Sequence, residues 1–128
     1  MRNKRIFPFA LVILLFVSVW ASAAKNPTEA KAVNMPDDVK AIIEKSCFGC
    51  HNTDSKNDKA KEKLDLKTLG ELDKPKMIHA LKEIEEVVDE NEMPPAKFLE
   101  KFPDKKLTDA EKKTLMDWAK NEAKALMQ

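Results

Sequence analysis

Cys47 and Cys50 stand two residues apart and His51 follows at once, so the stretch CFGCH holds both cysteines of the chain and one of its two histidines. No other feature restricts the fold as far. Val39, Ile42, Ile43 and Ser46 recur at helical spacing just before it, behind Asp37 and Asp38. Either aspartate can cap a helix that begins at Pro36–Asp38. The motif is therefore expected at the end of an amphipathic helix, not after a strand.

Two thiols at this spacing can add to the two vinyl groups on one side of a porphyrin, and the adjacent imidazole then sits under the iron. C-x-x-C-H is the attachment signature of a c-type haem. On this reading Cys47 and Cys50 are covalent links, His51 is the proximal ligand, and one motif means one haem c. The rivals lack partners. A thioredoxin-like dithiol belongs after a strand in a βαβ unit, and no stretch here alternates with period two. A structural zinc site takes four ligands, and beyond the cluster the sequence offers only His79. An iron–sulfur cluster wants about four cysteines. A disulfide across so short a loop is strained.

The N-terminus explains the setting. MRNKR is basic, Ile6 to Trp20 is almost unbroken apolar, and WASAA supplies small residues, with Ala21 and Ala23 in the A-x-A pattern. This reads as a signal peptide over residues 1–23, cut after Ala23 or one residue later. The apolar run is shorter than the roughly 20 residues of a spanning helix, so contact with the membrane is expected only in passage. A polar, Ala-rich leader over 24–35 precedes one domain over 36–128. Arg2, Lys4 and Arg5 leave with the signal, so 20 basic residues remain against 22 acidic ones. That balance gives no reason to expect nucleic-acid binding. Charged residues are 35% of the chain and Tyr is absent, which predicts a thin core that a central group would complete.

Downstream, NTDSKNDKAKEKLDLKTLGELDK reads as a long loop with a short turn or helix around Leu64–Leu72. Pro75 opens a helix whose buried stripe is Met77, Leu81, Ile84 and Val88, and MPP stops it. A loop through Pro103 leads to the last helix, started by the T-x-x-E box Thr108/Glu111, with Leu115, Trp118, Ala119, Glu122 and Leu126 along one side. The fold class is all-α.

The other face of the iron falls to His79 or a methionine. His79 lies about 160° from Leu81 around its helix, which puts it on the solvated side. Met77 is core, Met127 is near a fraying end, Met116 reaches only the core edge, and Met35 starts the helix that carries the motif. Met93 stands in ENEMPPAKF, where Pro94 and Pro95 stiffen the chain and so lower the entropy lost in holding a weak neutral ligand. It is the expected distal ligand. A His/Met pair raises the potential and fills the position where oxygen or peroxide would bind.

CFGCH, ENEMPP and LTDAEKKTLMDWAK together resemble single-haem c-type cytochromes of the class I kind. The likeness is nearest to small bacterial exported haem-binding-domain proteins in which an M-P-P loop and a Trp-Ala helix follow the motif. It covers about Pro36 to Leu126. It implies a bundle of three to five helices around the haem, Cys47 and Cys50 as covalent links, His51 and Met93 as axial ligands, and the first and last helices packed with Trp118 near their crossing. The family often carries an aromatic stretch soon after the motif. Here NTDSKNDKAKEK is hydrophilic, so that side of the haem is expected to be more open, the potential lower, and the His51 ring without an identified hydrogen-bond partner.

These expectations describe a periplasmic, monomeric electron carrier, not an enzyme, that meets redox partner proteins. The alternative is a ligand-binding sensor or peroxidase-like module with an open sixth position. No Ser/His/Asp set, spaced carboxylate pair or glycine-rich phosphate loop is present. Asp89, Glu90 and Glu92 before Met93, and Lys97, Lys101, Lys105 and Lys106 after it, read as a solvated charged loop.

Overall fold

The computed structural model describes residues 33–128, so the expected signal peptide and residues 24–32 of the leader lie outside the described residues. The described chain is all-α: α1 (Asp37–Ser46), α2 (Asp58–Lys63), α3 (Lys74–Asp89), α4 (Ala96–Leu99) and α5 (Asp109–Met127), with 3₁₀ turns at Leu69–Glu71 and Pro103–Lys105. No strand occurs among the described residues. None of their helices is long and apolar enough to cross a membrane.

The frame is α3 laid along α5, the most extensive helix pair, with α1 crossing α5 beside it. Their apolar faces make one core. Met77, Leu81, Ile84 and Val88 of α3 are all buried, as their spacing predicts, and Ala80 joins them. From α5 come Leu115, Trp118, Ala119, Ala123 and Leu126. Ala123, not Glu122, completes that stripe. Glu122 stays at its edge, where its carboxylate accepts from the Asn34 N–H at 3.1 Å. The Trp118 indole N–H donates to the Asn34 carbonyl at 2.8 Å. The chain just before α1 is thereby strapped to α5, with Val33 and Met35 packed on the core.

The helix ends have local causes. Asp73 caps α3 by accepting from the Lys76 N–H at 3.0 Å, and Pro75 sits in the first turn, where its missing donor costs nothing. The predicted box on α5 is complete. Thr108 Oγ1 accepts from Glu111 N–H at 3.2 Å, and a Glu111 carboxylate oxygen accepts from Thr108 N–H at 2.8 Å. At α1 neither aspartate is the cap. Pro36 precedes the helix without a side-chain cap, and Asp37 and Asp38 lie inside the first turn, where the helix dipole favours them.

Two helices arise where loops were expected. The hydrophilic stretch after the motif folds into α2, which buries no residue of its own and so carries no apolar period. It is held by the Asn57 side chain, which accepts from Ala60 N–H at 3.2 Å, and by a Lys61–Asp58 ion pair at 2.8 Å. The second, α4, is a single turn after Pro95. The stop of α3 also differs from expectation. The helix ends at Asp89, before MPP is reached, because Asn91 adopts the left-handed conformation with φ 59°. Asn91 N–H then bonds Val88 O at 3.3 Å and Glu92 N–H bonds Val87 O at 2.9 Å, the paired bonds of a Schellman stop.

Candidate haem site

The end of α1 runs straight into the motif. Cys47 N–H and Phe48 N–H both bond the Ile43 carbonyl at 2.8 Å, and Cys50 N–H and His51 N–H both bond the Cys47 carbonyl at 3.1 Å. Both thiols and the imidazole thus sit on consecutive tight turns. The buried Val39, Ile42 and Ile43 seat this end of α1 on the core, and the Lys45 ammonium adds a link to α5, 2.6 Å from the Glu111 carboxylate.

Across from the motif, the Schellman stop places Met93. Its N–H also bonds the Val87 carbonyl, at 3.2 Å, so the residue is anchored to the last turn of α3 before either proline acts. Between the two lies a half-open cavity of about 240 Å³. Cys47, Cys50, His51 and Met93 all line it. The rest of its wall is mainly apolar: Ile43 from α1, Leu64 and Leu66 after α2, Ala80, Ile84, Val87 and Val88 from α3, Pro94, Pro95 and Phe98 after Met93, and Leu115 from α5.

The imidazole is oriented by α2. His51 Nδ1 lies 3.0 Å from the Ala60 carbonyl and 3.1 Å from the Leu64 carbonyl. Carbonyl oxygens only accept, so Nδ1 carries the proton and Nε2 is the ring nitrogen left to ligate a metal. A ring held this way is a prepared metal ligand. The His51 ring's partners, which the sequence left unidentified, are thus the Ala60 and Leu64 carbonyls. Asn57, Ala60 and Lys63 of α2 line the cavity there.

Both cysteines are free. Burial, with Cys50 beside it, pushes the Cys47 thiol up to about 11, so it stays protonated at neutral pH. Ser46 Oγ is buried at the same wall with no hydrogen-bond partner among the described residues. Two thiols, an imidazole, a thioether and an apolar wall suit a haem. No group of three His, Cys, Asp or Glu side chains gathers among the described residues.

The remaining candidates stand away from the cavity. His79 is exposed on α3, 3.7 Å from Glu83. Met77 is fully buried in the core, Met35 and Met116 are packed against it, and Met127 is exposed at the end of α5. Sequence reasoning overlooked Phe98, Lys63, Glu83 and Glu92 as lining residues. Only Phe98, an aromatic residue five positions after Met93, carried a signal that pointed to the cavity.

A family model described as a haem-binding domain matches residues 54–121. The matched stretch begins after His51 and takes in Met93 and most of α5. No curated protein and no solved structure matches the chain.

Proposed function

The chain belongs to the haem-binding domain family, and from that premise we propose that it is a monohaem c-type cytochrome of the class I kind, a periplasmic carrier of single electrons between protein partners. The observation that carries the reading is the gathering of Cys47, Cys50, His51 and Met93 around one cavity. Cys47 and Cys50 would hold the haem by thioether links, and His51 Nε2 and the Met93 sulfur would ligate its iron. Bound haem supplies a one-electron iron couple.

The chain's own residues supply the rest. Ala60 and Leu64 carbonyls keep the His51 proton on Nδ1, which raises the basicity of Nε2. The anchored Met93 backbone lowers the entropy lost in holding its sulfur in place. The mainly apolar wall would shield the haem face it covers, and a soft neutral sulfur ligand would favour the ferrous state. A sixth position filled by Met93 would leave no place for a substrate, so the proposal is a carrier and not an enzyme.

The test is the absorption spectrum of the protein matured in a bacterial periplasm: oxidised, reduced, and reduced under carbon monoxide. Haem that survives acid–acetone extraction establishes covalent attachment. A low-spin spectrum with the weak far-red methionine–iron band, lost in Met93→Ala, and no carbon monoxide shift establishes the His/Met carrier. A high-spin or carbon-monoxide-sensitive spectrum overturns it in favour of a sensor or peroxidase-like module.

A further inference from the structure

Three sides of the cavity are accounted for by thiols, imidazole and thioether, but a haem also carries two carboxylates. Its propionates leave the porphyrin on the edge away from the vinyl groups, so they cannot lie beside Cys47 and Cys50. Two negative charges brought to an apolar cavity need donors at its rim.

The charged lining residues are few and differ in sign by element. Glu83 on α3 and Glu92 in the turn after α3 line the cavity as carboxylates, and both repel a propionate. Lys63, the last residue of α2, is the one lysine or arginine of the lining among the described residues. Its neighbour on the same helix, Lys61, is tied to Asp58 and to the Ser55 carbonyl. Lys63 has no ion-pair or hydrogen-bond partner for its ammonium among the described residues. Asn57, at the start of α2, also lines the cavity. Its side-chain oxygen is occupied by Ala60 N–H, which turns its NH₂ into the available half of the amide.

We infer that α2 is the propionate-binding element of this domain, with the Lys63 ammonium as the ion partner of a haem propionate and the Asn57 amide as a second donor. This rests on the c-type haem reading above and adds the orientation of the group in its cavity. It also gives the hydrophilic helix a use. A helix with no buried residue brings an amide and an ammonium to the cavity lining, and the carbonyls of Ala60 and Leu64 meanwhile hold His51.

The consequence is read in the reduction potential of the holo-protein. A cation beside the haem opposes the extra positive charge of ferric iron, so its removal lowers the potential. Redox titration at pH 8, where the carboxylates are ionised in every variant, compares Lys63→Gln, Lys63→Glu and Lys63→Arg with Lys59→Gln. Lys59 is an exposed lysine of the same helix that does not line the cavity. The expected result is a lowered potential in Lys63→Gln, a larger drop in Lys63→Glu, recovery in Lys63→Arg, and little change in Lys59→Gln. Equal shifts in Lys63→Gln and Lys59→Gln, or none in either Lys63→Gln or Lys63→Glu, overturn the assignment. The extraction step separates this from the parent reading: haem lost from the unmutated protein in acid–acetone overturns covalent attachment, whereas intact covalent haem with an unmoved potential overturns Lys63 alone.

Discussion

The ring of His51 and the carbonyl of Ala60 are 3.0 Å apart, joined by a hydrogen bond from Nδ1 across nine residues of chain. Ala60 O also accepts from the Leu64 N–H at 3.0 Å, so one carbonyl serves both the end of α2 and the orientation of the imidazole. The stability of a six-residue helix and the geometry of an iron ligand are therefore linked.

Asn57→Ala tests that link. Loss of an N-cap costs about 1 kcal/mol, concentrated here on a helix with no buried residue to hold it. In the ferrous holo-protein the His51 Nδ1–H proton resonance is expected to exchange with solvent severalfold faster in the variant. Unchanged exchange would show that the ring is held without α2.

The Lys45–Glu111 pair gives a pH signature. Lys45 holds the Glu111 carboxyl below its ordinary range, with the Thr108 N–H assisting. A carboxylate with a depressed folded pKa contributes stability that is fully present above its unfolded value, near 4.5, and is lost as the pH falls through the folded value. Glu111→Gln is expected to cost about 1 kcal/mol at pH 7. The difference from the unmutated protein should shrink below pH 4.5, as followed by urea denaturation. A constant difference down to pH 3 would mean that the capping hydrogen bonds, not the charge, carry the effect.

The contact between α3 and α5 is expected to dominate stability. Leu81 has no exposed surface, and Leu81→Ala should cost about 2–5 kcal/mol through lost burial and the cavity left behind. Met77→Leu at an equally buried site keeps volume and should cost less than about 1.5 kcal/mol. Denaturant midpoints with unchanged m-values check both.

Removing the haem is the broadest perturbation. Cys47→Ser/Cys50→Ser made without haem leaves the cavity of about 240 Å³ unfilled between α1, α3 and the Met93 segment. Trp118, buried at 6% exposure, reports on packing where α5 meets the chain before α1. Near-UV circular dichroism is expected to fall while far-UV helix signal largely remains. Full retention of the near-UV signal would mean that the core stands without its central group.

The chain by itself determined its helices wherever burial writes a period: the stripe of α3, most of the stripe of α5, the capping box at Thr108 and the run of α1 into CFGCH were all legible. It also marked Cys47, Cys50 and His51, because thiol and imidazole are rare in this chain and their spacing carries chemistry, and it singled out Met93 among six methionines by the two prolines that follow it. Tertiary structure alone decided what surrounds them. Polar α2 has no buried face to announce it, and its service to His51 runs through backbone carbonyls that any sequence possesses. Met93 owes its place to a left-handed Asn91 and a Val87 carbonyl, and to the packing that sets α3 across from α1. Residue identity specifies which groups are able to act. Which of them meet depends on long-range packing and on main-chain hydrogen bonds, and side-chain patterns record neither.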